Sequence, residues 1–326
     1  MNTTPIPTPL RGVLLDQATF GDGLDFSRLE QACDHWTYHN LSHPDDIAAR
    51  ISQAHVVITN KAPLHTRQLT SAHALRYIGI AATGTDHVDL TLTQTRGIAV
   101  TNVRGYGTAS VAQHVFGLML SLAGRLPEYH RAAITGHWGQ SPLFCLFDHP
   151  MTELAGKTLG VVGVGELGRR VIQLAEAFDM RVLTAARPGA APTADRLALD
   201  DMLPQCDVLT LHCPLTEHTR NLINARRLAL LPRHAIVINT ARGGIINETA
   251  IANALRNGQL GGAGIDVLTT EPPADGNVLL DPALPNLIVT PHVAWATQAA
   301  RQRLLDQVAD NLIAWRANAP IRQLHP

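Results

Sequence analysis

The run TLGVVGVGELGRRVIQLAEAF, starting at Thr158, constrains this chain more than any other segment. Apolar residues continue from Thr158 to Val162, break at Gly163, Gly165 and Gly168, and resume at helical spacing with Leu167, Val171, Leu174, Ala175 and Phe178. That pattern predicts a buried strand, a tight turn and an amphipathic helix. The first glycine makes the turn, the second lets a pyrophosphate approach the backbone, and the third lets the helix pack on its strand. The first N–H groups of a helix have no partner inside it and carry partial positive charge, so they suit phosphate. The segment therefore predicts a dinucleotide site lined by Gly163, Gly165, Glu166 and Leu167. The plainer alternative is a tight strand-to-helix connection with no ligand.

A dinucleotide site that selects NAD ends its second strand with Asp or Glu, about 20 residues on, to hold the ribose 2′-hydroxyl. Here the second strand is RVLTA, Arg181 to Ala185, and the residues after it are Ala186, Arg187 and Pro188. With no carboxylate there, nothing repels a 2′-phosphate, and the Arg187 guanidinium offers a fork to bind it. NADP(H) is the expected cofactor, with NAD(H) as the alternative if Arg187 is only a solvated surface residue.

At 326 residues the chain has material for two cores. Its formal net charge of −1 and scattered basic residues give no footprint for nucleic acid or a membrane surface. The four cysteines, Cys33, Cys145, Cys206 and Cys213, form no CxxC pair and no zinc-like spacing with histidine, so no metal is expected and free thiols in a reducing cytoplasm are. The N-terminal MNTTPIPTPLRG lacks a basic region followed by an apolar one and reads as a frayed arm, not a secretory signal.

Short apolar runs at Gly12–Leu15, Val56–Thr59, Tyr77–Ala81 and Ile98–Asn102 precede the glycine turn. After it come RVLTA, DVLTLHC, AIVINT, AGIDVL and LIVTPH. Strands alternating with helices predict an α/β protein of two doubly wound parallel sheets. Periodicity breaks over 136–150 (GHWGQSPLFCLFDHP), which reads as a long functional loop. A helix from Thr297 to Trp315 is expected to return to the first domain. A nucleotide domain at 101–296, inserted between 1–100 and 297–326 of a substrate domain, is the expected organisation. The apolar SVAQHVFGLMLSLAGRL, interrupted by Gln113, His114 and Gly117, reads as a buried interdomain or dimer helix.

Ligands of open α/β sheets sit at the carboxyl ends of strands. Arg242 follows AIVINT, Glu271 follows GIDVL, and His292 follows LIVT. Each alone has an ordinary explanation as a surface turn, a solvated acid or a packed histidine. Together they make a complete set for carbonyl reduction: a histidine to protonate the nascent alkoxide, a carboxylate to orient it, and an arginine to bind substrate carboxylate and polarise the carbonyl.

ATGTDHVDL (Ala82 to Leu90), GVGELG, LHCPLT (Leu211 to Thr216), NTARGGIINE (Asn239 to Glu248), GAGIDVLTTEPP (Gly262 to Pro273) and TPHVAWAT (Thr290 to Thr297) together resemble the D-isomer-specific 2-hydroxyacid dehydrogenases over nearly the whole chain. GYGTASVAQH, SPLFCLFDHPMTELAGKTLGVVG and HVAW are similar to the glycerate dehydrogenase and hydroxypyruvate reductase subgroup. The resemblance implies a Rossmann nucleotide domain inserted in a flavodoxin-like substrate domain, a symmetric homodimer, and reduction of hydroxypyruvate or glyoxylate to the D-2-hydroxyacid. It gives Arg242, Glu271 and His292 the roles already assigned and makes Asp266 the acceptor for the nicotinamide carboxamide. Thr83 and Gly84 become amide donors to the substrate carboxylate. Cys213 and Pro214 line the adenosine side, Thr240 and Ala241 touch cofactor through their backbone, and Trp295 helps set substrate choice. His87, His114 and His212 are expected to be structural.

Two positions depart from the family pattern: Ala186 stands where the acid is expected, and Asn247 where many members carry aspartate. The chain also stops about 30 residues after His292, where some phosphoglycerate dehydrogenases continue into a regulatory domain, which makes that activity a weaker expectation. Reduction of pyruvate or a bulkier 2-ketoacid is the nearer alternative, and a dinucleotide-sensing corepressor or scaffold the remote one.

Overall fold

A computed structural model of the chain describes residues 7–187 and 189–324. It divides into two compact units, one formed by the residues up to Gly107 and those from Ala296 onward, the other by Thr108–Trp295. The second unit begins a few residues later than 101, because Ala99–Thr101 is itself a strand of the first sheet.

The first unit holds β1 (Arg11–Leu14), β2 (His35–Tyr38), β3 (Val56–Thr59), β4 (Tyr77–Ile80) and β5 (Ala99–Thr101). They pair in the order β2-β1-β3-β4-β5, all parallel. This is the flavodoxin-like order, which switches direction between β1 and β3. β3 and β4 are buried at every position, as expected of parallel strands covered on both faces. The edge strand β2 was not apparent from the sequence, because HWTY has no continuous apolar run and alternates between exposed and half-buried positions. Trp315, in the C-terminal helix Gln298–Arg316, packs on Tyr77 of β4 with ring centroids 5.0 Å apart.

The second unit holds β6 (Thr158–Val162), β7 (Arg181–Thr184), β8 (Val208–Leu211), β9 (Ile236–Asn239), β10 (Gly262–Ile265) and β11 (Leu287–Val289). The six strands are parallel in the order β11-β10-β9-β8-β6-β7. Successive strands move outward to β7 and then cross to β8 on the other side of β6, so the switch point lies between β6 and β8. One face of the sheet is covered by the helices Thr108–Ala123 and Glu166–Ala177, through Val115, Leu118, Met119, Leu122, Val171 and Ala175. The apolar side of the Thr108–Ala123 helix is therefore used inside this unit.

The opening residues correct the expectation of a frayed arm. Residues 1–6 lie outside the described residues, but Leu10 is fully buried, its N–H donates to Asp34 Oδ2 at 2.6 Å, and β1 starts at Arg11. Among the described residues, no helix is long and apolar enough to cross a membrane, and no three His, Cys, Asp or Glu side chains are grouped to hold a metal ion.

Candidate active site

The glycine turn follows β6 at the switch point. Gly163 has φ +98°, and a Cβ there would lie 2.6 Å from the His212 carbonyl, so only glycine lets the turn pass this close to the loop after β8. A Cβ on Gly168 would lie 2.1 Å from the Gly163 carbonyl oxygen, which is why the helix can start directly against the turn. At Gly165 a Cβ would meet open space. Gly165 is the N-cap of Glu166–Ala177, and no side chain caps that helix start. An uncapped, glycine-opened helix terminus beside unfilled space fits a pyrophosphate. The Glu166 side chain is turned aside, its Oε1 accepting from Thr108 Oγ1 at 2.7 Å. That leaves the first-turn amides of Glu166 and Leu167 as the groups suited to phosphate.

Around this turn the structure collects the other candidate dinucleotide residues at the carboxyl ends of neighbouring strands. Ala186 is buried behind β7, its N–H donating to Leu197 O at 2.7 Å, while Arg187 is exposed and has no ion-pair partner among the described residues. Pro188 lies outside the described residues. After β8, Cys213 is buried, and burial pushes its thiol up to about 11, so it is a protonated packing group and not a nucleophile. The Pro214 carbonyl accepts from Thr219 Oγ1 at 2.7 Å, which braces the loop. His212, half-buried, is driven down to about 4 by desolvation and is neutral, and its buried Nδ1 has no partner among the described residues. After β9, Thr240 Oγ1 is also buried without a partner among the described residues. Two orphaned polar atoms on the loops after β8 and β9, the first of these loops packed against the glycine turn, fit a site completed by a polar ligand.

The Ala241 backbone is more committed than expected. Its N–H donates to Asn239 Oδ1 at 3.0 Å, and its carbonyl accepts from Arg242 Nη1 at 2.7 Å. Asn239 Nδ2 in turn donates to Arg242 O at 2.9 Å, so this side chain, not singled out from the sequence, shapes the loop that presents Arg242. Arg242 is partly buried and has no carboxylate partner among the described residues. A guanidinium so held, with its remaining N–H groups unmatched by an acid, is available to an anionic ligand.

Gly243 places this loop against the one carrying Glu271, since a Cβ there would lie 1.9 Å from Leu268 O. Glu271 Oε1 accepts the Leu268 N–H at 2.8 Å, and its Oε2 meets His292 Nδ1 at 2.6 Å. The carboxylate only accepts, so Nδ1 carries the proton and Nε2 is the nitrogen left to exchange one. His292 follows β11 in a turn with φ +54°, a sparsely populated backbone region for a residue with a Cβ. Its N–H donates to Asp266 O at 2.8 Å, and its carbonyl accepts from Trp295 Nε1 at 3.0 Å. Asp266, after β10, is 1% exposed. Its Oδ1 accepts from Thr290 Oγ1 at 2.5 Å and Val293 N at 2.9 Å, and its Oδ2 from Ala294 N at 3.0 Å. Asn247 caps the helix Glu248–Arg256 by accepting from Ala250 N at 2.9 Å, a role aspartate or asparagine fills equally.

In the first unit, Thr83 and Gly84 follow β4. Thr83 Oγ1 donates to Val103 O at 3.0 Å, and Asn102 Nδ2 donates to Thr83 O at 2.9 Å. The loop is thus held from its carbonyl side, and the N–H groups of Thr83 and Gly84 have no partner among the described residues. His87, just beyond, is lowered to about 4, chiefly by burial and then by the charge of Lys61.

A glycine turn at the switch point, with a histidine and glutamate paired from the loops after β11 and β10 of the same sheet, defines a dinucleotide-dependent oxidoreductase unit. Residues 116–294 match the D-isomer specific 2-hydroxyacid dehydrogenase, NAD binding domain, and the chain belongs to that family. A glycerate dehydrogenase of Methylorubrum extorquens is 44% identical over 283 residues, covering 87% of this chain and 89% of the relative. A solved protein of Thermus thermophilus is 33% identical with a TM-score of 0.85, over 97% of this chain and 100% of that one. An NADPH-dependent glyoxylate/hydroxypyruvate reductase of Sinorhizobium meliloti, solved with NADP and malonate, is 27% identical with a TM-score of 0.80, over 98% of this chain and 100% of that one. The chain is a nicotinamide-dependent oxidoreductase of the D-2-hydroxyacid class, similar to glycerate dehydrogenases and to glyoxylate and hydroxypyruvate reductases.

Proposed function

We propose that this protein reduces hydroxypyruvate or glyoxylate to the D-2-hydroxyacid with NADPH. The observation that carries the chemistry is the 2.6 Å pair of His292 Nδ1 and Glu271 Oε2 in a unit that also presents Arg242 without an acidic partner among the described residues. The bound dinucleotide supplies the hydride. His292 Nε2 delivers the proton to the developing alkoxide in reduction and takes it back in oxidation, while Glu271 holds the imidazole in the required tautomer and stabilises its charged form. Arg242 binds the substrate carboxylate and draws charge toward the carbonyl oxygen. In the first unit the amides of Thr83 and Gly84, without a partner among the described residues, are suited to serve as preorganised donors to a carboxylate, and in the second Trp295 bounds the substrate side chain. Gly163, Gly165, Glu166 and Leu167 hold the pyrophosphate, Cys213, Pro214 and Thr240 line the nucleotide, and Asp266 receives the carboxamide. The named relatives support a small 2-ketoacid as substrate. Initial rates on hydroxypyruvate, glyoxylate, pyruvate and a branched 2-ketoacid at fixed NADPH test this. The two small acids should lead in kcat/KM, and a preference for the branched acid would reject the assignment.

Arg187 carries the cofactor preference. An aspartate at 186 would hold two ribose hydroxyls and repel phosphate, whereas this chain has a buried alanine followed by an exposed arginine with no ion-pair partner among the described residues. Losing one charge-assisted contact costs roughly 1.5–3 kcal/mol, or about ten- to a hundredfold in affinity. Ala186→Asp combined with Arg187→Ala should therefore move the NADPH-to-NADH ratio of kcat/KM toward NADH by that factor. An unchanged ratio would show that Arg187 does not touch the cofactor.

A homodimer completes the proposal, and of the two segments in which the resemblance puts the dimerisation region, the apolar helix and the long loop after it, the loop carries the argument. The apolar side of the Thr108–Ala123 helix is buried within the second unit, but the helix Leu126–Ile134 buries no residue and the loop after it exposes Phe144 (91%) and Phe147 (76%), with Leu143 and Met151 beside them. Apolar surface of this kind marks an association site. Sedimentation at micromolar concentration should give a dimer that Phe144→Ser with Phe147→Ser weakens, and a monomeric wild type would exclude it.

A further inference from the structure

The carboxylate of Asp266 is nearly sealed from solvent, at 1% exposure, and such a group is costly to bury unless its oxygens are bonded. Its three donors are Thr290 Oγ1, Val293 N and Ala294 N, all from the turn with His292 at its centre, and His292's own N–H donates to the Asp266 carbonyl. Asp266 is therefore more than a ligand for the cofactor. It clamps the backbone that holds the proton donor in its left-handed conformation. Its two oxygens are loaded unequally, since Oδ1 takes two donors and Oδ2 one, which leaves Oδ2 with acceptor capacity for a further donor.

What fixes the carboxylate's rotation is one step further back. Thr290 has a single hydroxyl proton, and the 2.5 Å contact commits it to Asp266 Oδ1. The same oxygen lies 2.9 Å from His114 Nε2. With its proton already used, the hydroxyl must accept here, so Nε2 of His114 carries a hydrogen and donates it. The ring nitrogen also stands 3.6 Å from Asp266 Oδ1. His114 projects from the helix Thr108–Ala123, which packs on β9 and β10, so the directed chain His114 → Thr290 → Asp266 ties the turn to a rigid element. The sequence offered His114 only as a structural histidine. The geometry gives it a direction and an endpoint.

We propose that His114 is a positioning residue for the nicotinamide end of the site, acting through the Thr290 hydroxyl on the orientation of the Asp266 carboxylate. This rests on the reading that Asp266 Oδ2 receives the carboxamide. His114 touches neither substrate nor cofactor in this scheme. It prevents the carboxylate from rotating and thereby aligns both the carboxamide acceptor and the His292 turn.

The test compares binding of NADPH with binding of 2′-phospho-ADP-ribose, which lacks the nicotinamide, by fluorescence and calorimetric titration. Thr290→Val removes the hydroxyl while keeping the side-chain shape, His114→Leu removes the terminal donor, and His114→Gln restores a donor on a side chain of similar reach. Losing one buried hydrogen bond predicts a roughly three- to tenfold rise in the NADPH Kd for Thr290→Val and for His114→Leu. The Kd of the fragment should stay at its wild-type value, and His114→Gln should recover most of the loss. Because both residues act in one chain, the double variant should be no worse than the weaker-binding single variant. Equal loss for NADPH and the fragment would mean a general structural lesion and overturn the proposal, as would additive effects or unchanged NADPH binding. If the wild-type protein binds NADPH no better than the fragment, the role of Asp266 toward nicotinamide falls and the relay with it. If the wild type discriminates and the variants discriminate equally, the relay alone fails. Should His114→Leu not fold, Thr290→Val and His114→Gln still decide the question.

Discussion

Replacing His292 with alanine should lower kcat by about 10²–10⁴-fold, the usual contribution of a positioned general acid, with dinucleotide affinity close to wild type. The expectation follows from the 2.6 Å bond between His292 Nδ1 and Glu271 Oε2, which leaves Nε2 as the exchanging nitrogen. Steady-state rates with a saturating 2-ketoacid, together with a fluorescence titration of NADPH, measure both quantities. Near-normal turnover would remove His292 from the mechanism. A matching loss of NADPH affinity would instead show that the turn had collapsed, since His292 N–H and the amides of Val293 and Ala294 all bond to Asp266.

Arg242→Ala should damage KM and kcat together. A guanidinium that binds a carboxylate and polarises the adjacent carbonyl acts in the ground state and the transition state alike, so its loss appears in both constants. Charge-assisted contacts contribute roughly 1.5–3 kcal/mol each, so kcat/KM should fall by at least about a hundredfold if both roles are lost. Arg242→Lys should recover little, because an ammonium cannot reproduce the planar fork. Unchanged KM for the 2-ketoacid would contradict the carboxylate role. The Arg242 side chain is bonded to the Ala241 carbonyl of its own loop, so a thermal melt should accompany the kinetics to separate chemistry from loop disruption.

Much of this was legible in the sequence, for physical reasons that differ from place to place. The strand–turn–helix at Thr158 to Phe178 was readable because its glycines answer hard steric demands, as the 2.6 Å approach at Gly163 and the 2.1 Å approach at Gly168 show. Parallel strands buried on both faces read as continuous apolar runs, so β3, β4, β6, β8 and β9 stood out. The edge strand His35–Tyr38 did not, since an edge alternates and its aromatics mimic a loop. Arg242, Glu271 and His292 were visible as polar residues just past apolar strands. The groups that hold them were not. Asn239 sits at the end of an apolar strand and looks like its terminus, though its side chain holds the Arg242 loop. His114 and Thr290 are 176 residues apart and meet only in three dimensions. The apolar Thr108–Ala123 helix and the long loop after it both suggested an interface, because sequence alone does not say which of them is covered by its own unit. The helix's core-facing residues pack on the second sheet, and the exposed apolar surface lies further along the chain.

As a D-2-hydroxyacid oxidoreductase, this chain should deliver hydride and proton so that the product has the D configuration. Incubation of the wild-type protein with hydroxypyruvate and NADPH, followed by chiral chromatography of the product, tests it most directly. D-glycerate should form in step with NADPH consumption, and the product should be lost in His292→Ala. L-glycerate, a racemate, or no NADPH consumption with either hydroxypyruvate or glyoxylate would contradict this expectation.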